Sequence, residues 1–287
     1  TRIKYCLAPG SRVLNANLEW KGIETFLAGD ALLAFDEFGA EKPWHARSSN
    51  KARMGGQKLR TAIVEEVETI RRPCFELSTS KGVVIASSDH QWLTDRAYEG
   101  KYRTWIETSE LKPGIPLQYF AAPWEVETDF EAGWLAGLFD GEGCLSRPNG
   151  AGWQLSVAQR DGAVLDRAIE ILDRLGVNFE VYNGDGDCRS IGIRGGLAGI
   201  LRFLGRIPTV RLTEKAIEQR IWEGYSITGT GETAVIEDIK YIGEQDVVAM
   251  QTSSRTFIAE GIFSHNCISN RRIGSGDIGP VPWMWRP

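Results

Sequence analysis

The spacing of apolar positions changes twice along the chain. From Gly10 to about Phe120, short apolar runs such as R-V-L-N-A, A-L-L-A-F and V-V-I-A-S alternate with Gly, Pro, Asp and Asn, and one long run, I-V-E-E-V-E-T-I-R-R-P-C-F-E-L-S-T, crosses the middle. Runs of this kind between turn residues predict β-strands. Two stretches echo each other, I-E-T-F-L-A-G-D-A-L-L-A-F at 23–35 and I-E-T-S-E-L-K-P-G-I-P-L-Q-Y-F at 106–120, which points to a duplicated unit. Beyond Pro123 the spacing becomes three and four. F-E-A-G-W-L-A-G-L-F-D and D-G-A-V-L-D-R-A-I-E-I-L-D-R-L-G predict amphipathic helices, the second with Asp161 as N-cap and Gly176 at its end. Strand-like runs follow each helix: W-Q-L-S-V-A-Q-R after the first, V-N-F-E-V-Y-N and C-R-S-I-G-I-R after the second. With a third helix from about Gly196 to Leu204, the predicted order is αββαββα, an α+β domain in its own right. After Gly231 the β pattern returns in A-V-I-E-D-I-K-Y-I-G-E, D-V-V-A-M-Q-T and R-T-F-I-A-E-G-I-F-S-H-N-C. The economical reading is an all-β domain interrupted by an inserted α+β domain.

Composition fits two compact units, since 287 residues with 42% hydrophobic positions and ten Trp exceed one typical core. No run of eighteen apolar residues exists, and T-R-I-K-Y-C-L-A-P-G lacks the apolar centre of a signal peptide, so the expectation is a soluble, cytoplasmic protein without a membrane partner. Five cysteines, Cys6, Cys74, Cys144, Cys188 and Cys267, form no C-x-x-C pair, which argues against a disulfide framework and against a zinc site. The net charge of −5 is unevenly spread: residues 6–124 balance at 15 basic and 15 acidic, 125–225 carry 11 against 16, and 226–266 carry 2 against 6. A strongly basic nucleic-acid face is therefore not evident. The exception is Trp44 to Arg60, with five basic residues and no acid, which reads as a solvated linker.

Only three histidines are available for imidazole chemistry, and two of them, His90 and His265, lie in suggestive company. Taken singly, Cys6 reads as a buried hydrophobe, His90 as a satisfied polar residue and His265-Asn266-Cys267 as turn chemistry. Taken together, Cys6 before L-A-P-G-S-R-V-L, the segment A-S-S-D-H-Q-W-L at 86–93, and S-H-N-C at 264–267 resemble the splicing blocks of inteins, self-excising elements of the Hint superfamily.

That resemblance implies a horseshoe-like, pseudo-two-fold all-β splicing domain built from residues 6–124 and 226–266. The flanking host segments, or exteins, would be 1–5 and 267–287. Cys6 would attack the Tyr5 carbonyl to form a thioester, with His90 protonating the departing amine and Ser87 orienting the scissile peptide. Cys267 would then take the acyl group, and Asn266 would cyclise with help from His265 and release the chain. Asp89 and Trp92 read as local structure. No metal or nucleotide is implied for splicing. The pattern departs from the family at two places, where Ala249 and Arg255 align with positions usually held by Asp and often by His.

Trp134 to Gly143, W-L-A-G-L-F-D-G-E-G, resembles the signature of LAGLIDADG homing endonucleases, which places the inserted domain at 125–225. The resemblance implies Glu142 as ligand to a divalent metal, Mg²⁺ if the nuclease is active, with Asp140 shaping the helix end or contributing. Arg147, Gln159, Arg160, Arg189 and Arg194 would face double-stranded DNA. One copy of the motif implies a homodimer through this helix. Two other readings stay open: a DNA endonuclease whose splicing domain is inactive, and a Hint domain that only cleaves itself.

Overall fold

The computed structural model describes residues 5–39, 56–95, 103–150, 152–184, 186–227 and 232–266. Most of the basic stretch at 44–60, both terminal flanks except Tyr5, and Cys267 lie outside the described residues.

Short strands β1 (Arg12–Leu14), β2 (Trp20–Gly22) and β3 (Ala31–Phe35) lead into the 21-residue β4 (Leu59–Thr79), which turns back as β5 (Gly82–Ser87). β6 (Gln91–Leu93), β7 (Trp105–Glu107) and β8 (Pro116–Gln118) follow. The inserted domain runs α1 (Phe130–Glu142), β9 (Gly143–Ser146), β10 (Gln154–Arg160), α2 (Ala163–Arg174), β11 (Phe179–Asn183), β12 (Cys188–Ile193) and α3 (Gly196–Arg206). This is the αββαββα order, followed by a further helix, α4 (Arg211–Glu218), which the sequence pattern does not announce. β13 (Thr233–Thr252), β14 (Thr256–Ala259) and β15 (Ile262–His265) complete the chain.

The β part is two sheets. One has the order β2-β1-β14-β15-β6-β7; the other is β3-β4-β13-β8, with β5 also paired to β4. β4 and β13 run antiparallel from Thr79/Ile236 to Val64/Thr252, and three register shifts along the pair bend this long ribbon. The two echoing stretches fold alike. Each has a short strand, then one 3₁₀ turn (Ile23–Thr25 and Thr108–Glu110), a glycine in the left-handed region (Gly29 at φ 100°, Gly114 at φ 90°), and then a second strand. The turn glycine before each second strand encodes that course, because an L side chain at either position would be strained.

The insert is a four-stranded sheet, β11-β12-β10-β9, with helices on one face. Asp129 caps α1 by accepting from the Ala132 amide at 2.7 Å, and Ala132, Leu135, Ala136 and Phe139 turn inward. α2 starts at Ala163 with Gly162 as its N-cap rather than Asp161. The Asp161 carboxylate is instead drawn to Arg189 at 2.7 Å, across the end of the sheet. Asp140 ties α1 to α4, accepting from the Val210 and Leu212 amides at 2.6 and 3.2 Å, while Arg211 donates to the carbonyls of Phe139, Asp140 and Gly143. The Asp140 and Arg211 side chains thus satisfy the free amides that open α4 and the free carbonyls that close α1. Replacing Asp140 with Ala should therefore cost about 1–2 kcal/mol of stability, read from the midpoint of urea unfolding.

The insert docks on the β part through Trp222, which donates to Thr61 Oγ1 at 3.0 Å. Trp124, the last residue before the insert, is anchored within the β part, donating to the Leu18 carbonyl at 2.9 Å and meeting Trp20 edge-to-face. Residues of both parts share one apolar cluster, in which Leu14, Leu33 and Phe263 join Phe139, Leu172 and Leu204. Among the described residues no helix is long and apolar enough to cross a membrane.

Candidate active site

The segment from Tyr5 to Ala8 is threaded between two strands. Leu7 exchanges main-chain hydrogen bonds with Val248 of β13 at 3.1 and 2.7 Å, and Ala8 donates to Ile85 of β5 at 3.0 Å. This fixes Cys6 in the interior, where its amide donates to Ser87 Oγ at 3.0 Å and its carbonyl accepts from the Ser87 amide at 2.9 Å. The Ser87 hydroxyl donates onward to Asp89 at 2.7 Å. Asp89, read from the sequence as local structure, therefore sets the direction of the Ser87 hydroxyl, so that its oxygen is free to accept from the Tyr5–Cys6 peptide.

Tyr5 has φ 68°. A bulky residue in the left-handed region carries on the order of 1–2 kcal/mol of strain. That strain sits directly on the peptide bond that Cys6 would break.

His90 is fully buried, with Trp92 packed on it at 4.4 Å between ring centroids. Trp92 is itself held by donating to Thr108 Oγ1 at 3.0 Å, and Thr108 binds the His90 carbonyl through both its amide and its hydroxyl. Neither His90 ring nitrogen has a hydrogen-bond partner among the described residues. Burial pushes its pKa down to about 3, and the neighbouring His265 acts in the same direction. The Tyr5 backbone favours the charged ring, but no atom of it reaches hydrogen-bond geometry with the imidazole. His90 is thus neutral near pH 7, and it can hand a proton to an amine only after taking one.

Cys74 shares a small buried cluster with Cys6, Val247 and Ala249. It lies in β4 opposite Ser87 and donates to the Arg72 carbonyl at 3.3 Å. Burial pushes this thiol up to about 11, partly opposed by the Gln245 backbone, so at neutral pH it is protonated. Ala249 brings only a methyl group to this pocket.

At the other end, β14 and β15 form a hairpin in which Thr256 faces His265, and β15 lies against β6 with Ser264 opposite Trp92. This pairing carries His265 and Asn266 to the side of the sheet where His90 stands. His265 Nδ1 is 2.9 Å from the Asn266 carbonyl oxygen, and Nε2 is 2.9 Å from Glu37 Oε1. The imidazole packs edge-to-face against Tyr5 at 5.1 Å and Trp105 at 5.0 Å. Asn266 is buried, and its Nδ2 donates to Thr252 Oγ1 at 2.6 Å and to the Thr252 carbonyl at 3.3 Å. Cys6, Ser87, His90, His265 and Asn266 are brought together, while Cys267 lies outside the described residues.

In the insert, Glu142 is exposed at the C-terminal end of α1. Residues 129–208 match the family described as a LAGLIDADG-like domain. Solved structures similar to the chain include a variant of the Ssp DnaB mini-intein, with 12% identity over 94% of this chain and 99% of that one and a TM-score of 0.43. A DnaB intein from Synechocystis sp. has 12% identity over 92% and 99%, with a TM-score of 0.39. A bacterial intein-like domain from Clostridium thermocellum has 10% identity over 91% and 99%, also at 0.39. No curated protein matches in sequence.

No group of three or more His, Cys, Asp or Glu side chains converges among the described residues, and both oxygens of Asp140 are taken by the Val210 and Leu212 amides. The alternation along β10 and β12 puts Arg160 on the open face of the sheet, with Gln154, Ser156 and Ala158. Gln159 and Arg189 are paired in register on the opposite parity, shared with Val157 and Ile191. Arg189 and Arg194 are ion-paired to Asp161 and Glu180, and Arg147 lies over the Tyr225 ring.

Proposed function

We propose that the chain is a self-splicing precursor in which residues 6–124 and 226–266 form a Hint-type splicing domain around an insert at 125–225, and that it joins the segments 1–5 and 267–287. The observation that carries this reading is the convergence of the two junctions in one buried site. The Tyr5–Cys6 amide rests on Ser87, and the Asn266 carbonyl rests on His265, whose ring touches Tyr5.

The steps follow from the groups present. His90, neutral, takes the Cys6 thiol proton as the sulfur bonds to the Tyr5 carbonyl carbon. It then gives the same proton to the Cys6 nitrogen as the Tyr5–Cys6 C–N bond breaks, which leaves a thioester with no net proton change. The Cys267 thiolate displaces Cys6 sulfur from the acyl group. Asn266 Nδ2 bonds to its own carbonyl carbon, the C–N bond to Cys267 breaks, and the proton lost from Nδ2 ends on the departing amine. An S-to-N shift then restores a peptide bond between Tyr5 and Cys267. These thiols need a reducing compartment such as the cytoplasm.

The insert supports a second, separate reading as a DNA-directed module. Gly133, Gly137 and Gly141 lie along one open side of α1, where added Cβ atoms would meet nothing within 4 Å, so a second copy could approach closely and bring a second Glu142 for Mg²⁺. With Arg189 and Arg194 already neutralised by acids, the phosphate-binding charge is small, and DNA affinity should be correspondingly weak.

The deciding experiment places the chain between two reporter proteins under reducing conditions and follows intact masses. A ligated reporter pair and a released fragment of residues 6–266 are expected. Uncut precursor after long incubation with thiol would end the splicing reading, and cut but unjoined reporters would revive autocleavage alone.

A further inference from the structure

His265 closes β15 with both ring nitrogens directed at oxygens that only accept. The Asn266 carbonyl lies at Nδ1 and the Glu37 carboxylate at Nε2, each at 2.9 Å. A neutral imidazole carries one N–H and can satisfy one of them; the doubly protonated ring satisfies both. Glu37 is well placed to impose this. It follows closely on β3, its main-chain carbonyl accepts from Gln57 Nε2 at 3.1 Å, and its side chain is only 18% exposed. Its second oxygen faces the Arg255 guanidinium at 3.6 Å. Arg255 stands where the resemblance places a family histidine, so an ion-paired glutamate borders the junction at a position that no motif of the sequence singled out.

We propose that Glu37 is a positioning residue that orients His265 and holds it as an imidazolium, so that its Nδ1–H bears on the Asn266 carbonyl while Asn266 cyclises. This rests on the reading of Asn266 as the self-cleaving residue. As Nδ2 bonds to the carbonyl carbon, negative charge grows on the carbonyl oxygen, and a cationic donor already in hydrogen-bond contact stabilises it more than a neutral one. The Nδ2 proton passes to the departing Cys267 amine, and Glu37 and His265 end in the state in which they began. Among the described residues the charged or titratable groups facing His265 are Glu37 from the turn after β3, Arg255 through Glu37, His90 beside β6, and the Tyr5 phenol. His90 is neutral and adds no charge, and Arg255 is largely exposed and damps the carboxylate only partly.

The test uses the chain with Cys6→Ala, in which only the Asn266–Cys267 bond can be cut, and follows release of the C-terminal segment by mass spectrometry across pH. Glu37→Gln should slow release about 10-fold, the worth of roughly one charge-assisted contact, and move the alkaline fall of the rate to lower pH. Glu37→Asp should restore part of both. The far-ultraviolet circular dichroism spectrum of the Cys6→Ala chain should be the same with Glu37 or Gln, which excludes general misfolding. Nitrogen-15 spectra of the His265 ring should show both nitrogens protonated near neutral pH with Glu37 and not with Gln. An unchanged rate and pH profile, or a His265 ring that is neutral in the presence of Glu37, overturns the proposal. If the chain with Glu37 intact cuts at neither junction, it is the splicing reading that fails, and the ring spectra still judge the Glu37–His265 pair.

Discussion

Replacing Cys6 with Ala should abolish thiol-triggered cleavage between Tyr5 and Cys6, and ligation with it, while the bond after Asn266 should still be cut. The loss should be complete because the other candidate nucleophiles of this pocket are unfit for the attack. Ser87 touches the scissile peptide, but its oxygen accepts the amide hydrogen and its own hydrogen goes to Asp89. Cys74 lies in the same pocket, yet burial pushes its thiol up to about 11, and a thiol that stays protonated is a poor attacker. Cys74→Ala should therefore leave cleavage intact, which separates the roles of two cysteines that composition alone cannot tell apart. Mass spectrometry of the two variants after incubation with a small thiol reads this directly. If Cys6→Ala still released the N-terminal flank, the Tyr5 carbonyl would have to be attacked by another group, with Cys74 the first to be tested.

The change of apolar spacing at Pro123 and Gly231 carries the architecture, since period two and period 3.6 bury different faces and cannot exchange. The hairpin that follows α1 is less legible, because β9 is four residues beginning at Gly143, too short for alternation to show. α4 escapes for a related reason: its eight residues bury only Leu212 and Ala216, and its start is fixed by Asp140, seventy residues earlier. Asp161 looks like an N-cap in the linear sequence and is not one, because Arg189 competes for its carboxylate across the sheet.

The junction residues are legible for a chemical reason. A thiol, an imidazole and an Asn-Cys step are rare side by side, and only three histidines compete for attention. Their supports are not legible. Glu37 follows an ordinary strand and Thr252 ends another, with nothing in the sequence to set either apart. Each acquires its meaning from a hydrogen bond formed only in the fold; His265 lies 228 positions from Glu37, and Asn266 lies 14 from Thr252. Contacts of this kind leave no period or spacing to read.

The stability of the folded chain should fall steeply in mild acid because of His90. Its folded pKa of about 3 lies below the ordinary value of 6.5, so between these pH values the unfolded chain binds the proton and the folded chain does not. The contribution is fully present above about pH 6.5 and is lost progressively as pH falls toward 3, the loss reaching roughly 2–3 kcal/mol near pH 4.5. Carboxylates titrate in the same window, so the comparison must be made against a His90→Gln chain, with Cys6→Ala and Asn266→Ala in both to keep the chain whole. Urea unfolding of the pair at about pH 7 and about pH 4.5 isolates the imidazole, because the loss on acidification should be roughly 2–3 kcal/mol larger in the chain that keeps His90 than in the His90→Gln chain. Equal losses would mean that the ring gains a proton in the folded state without penalty, and a charged His90 could then donate to the Cys6 amine directly. The same measurement thus decides between a proton that travels from the Cys6 thiol through His90 and one drawn from solvent, which is the point on which the first step of splicing turns.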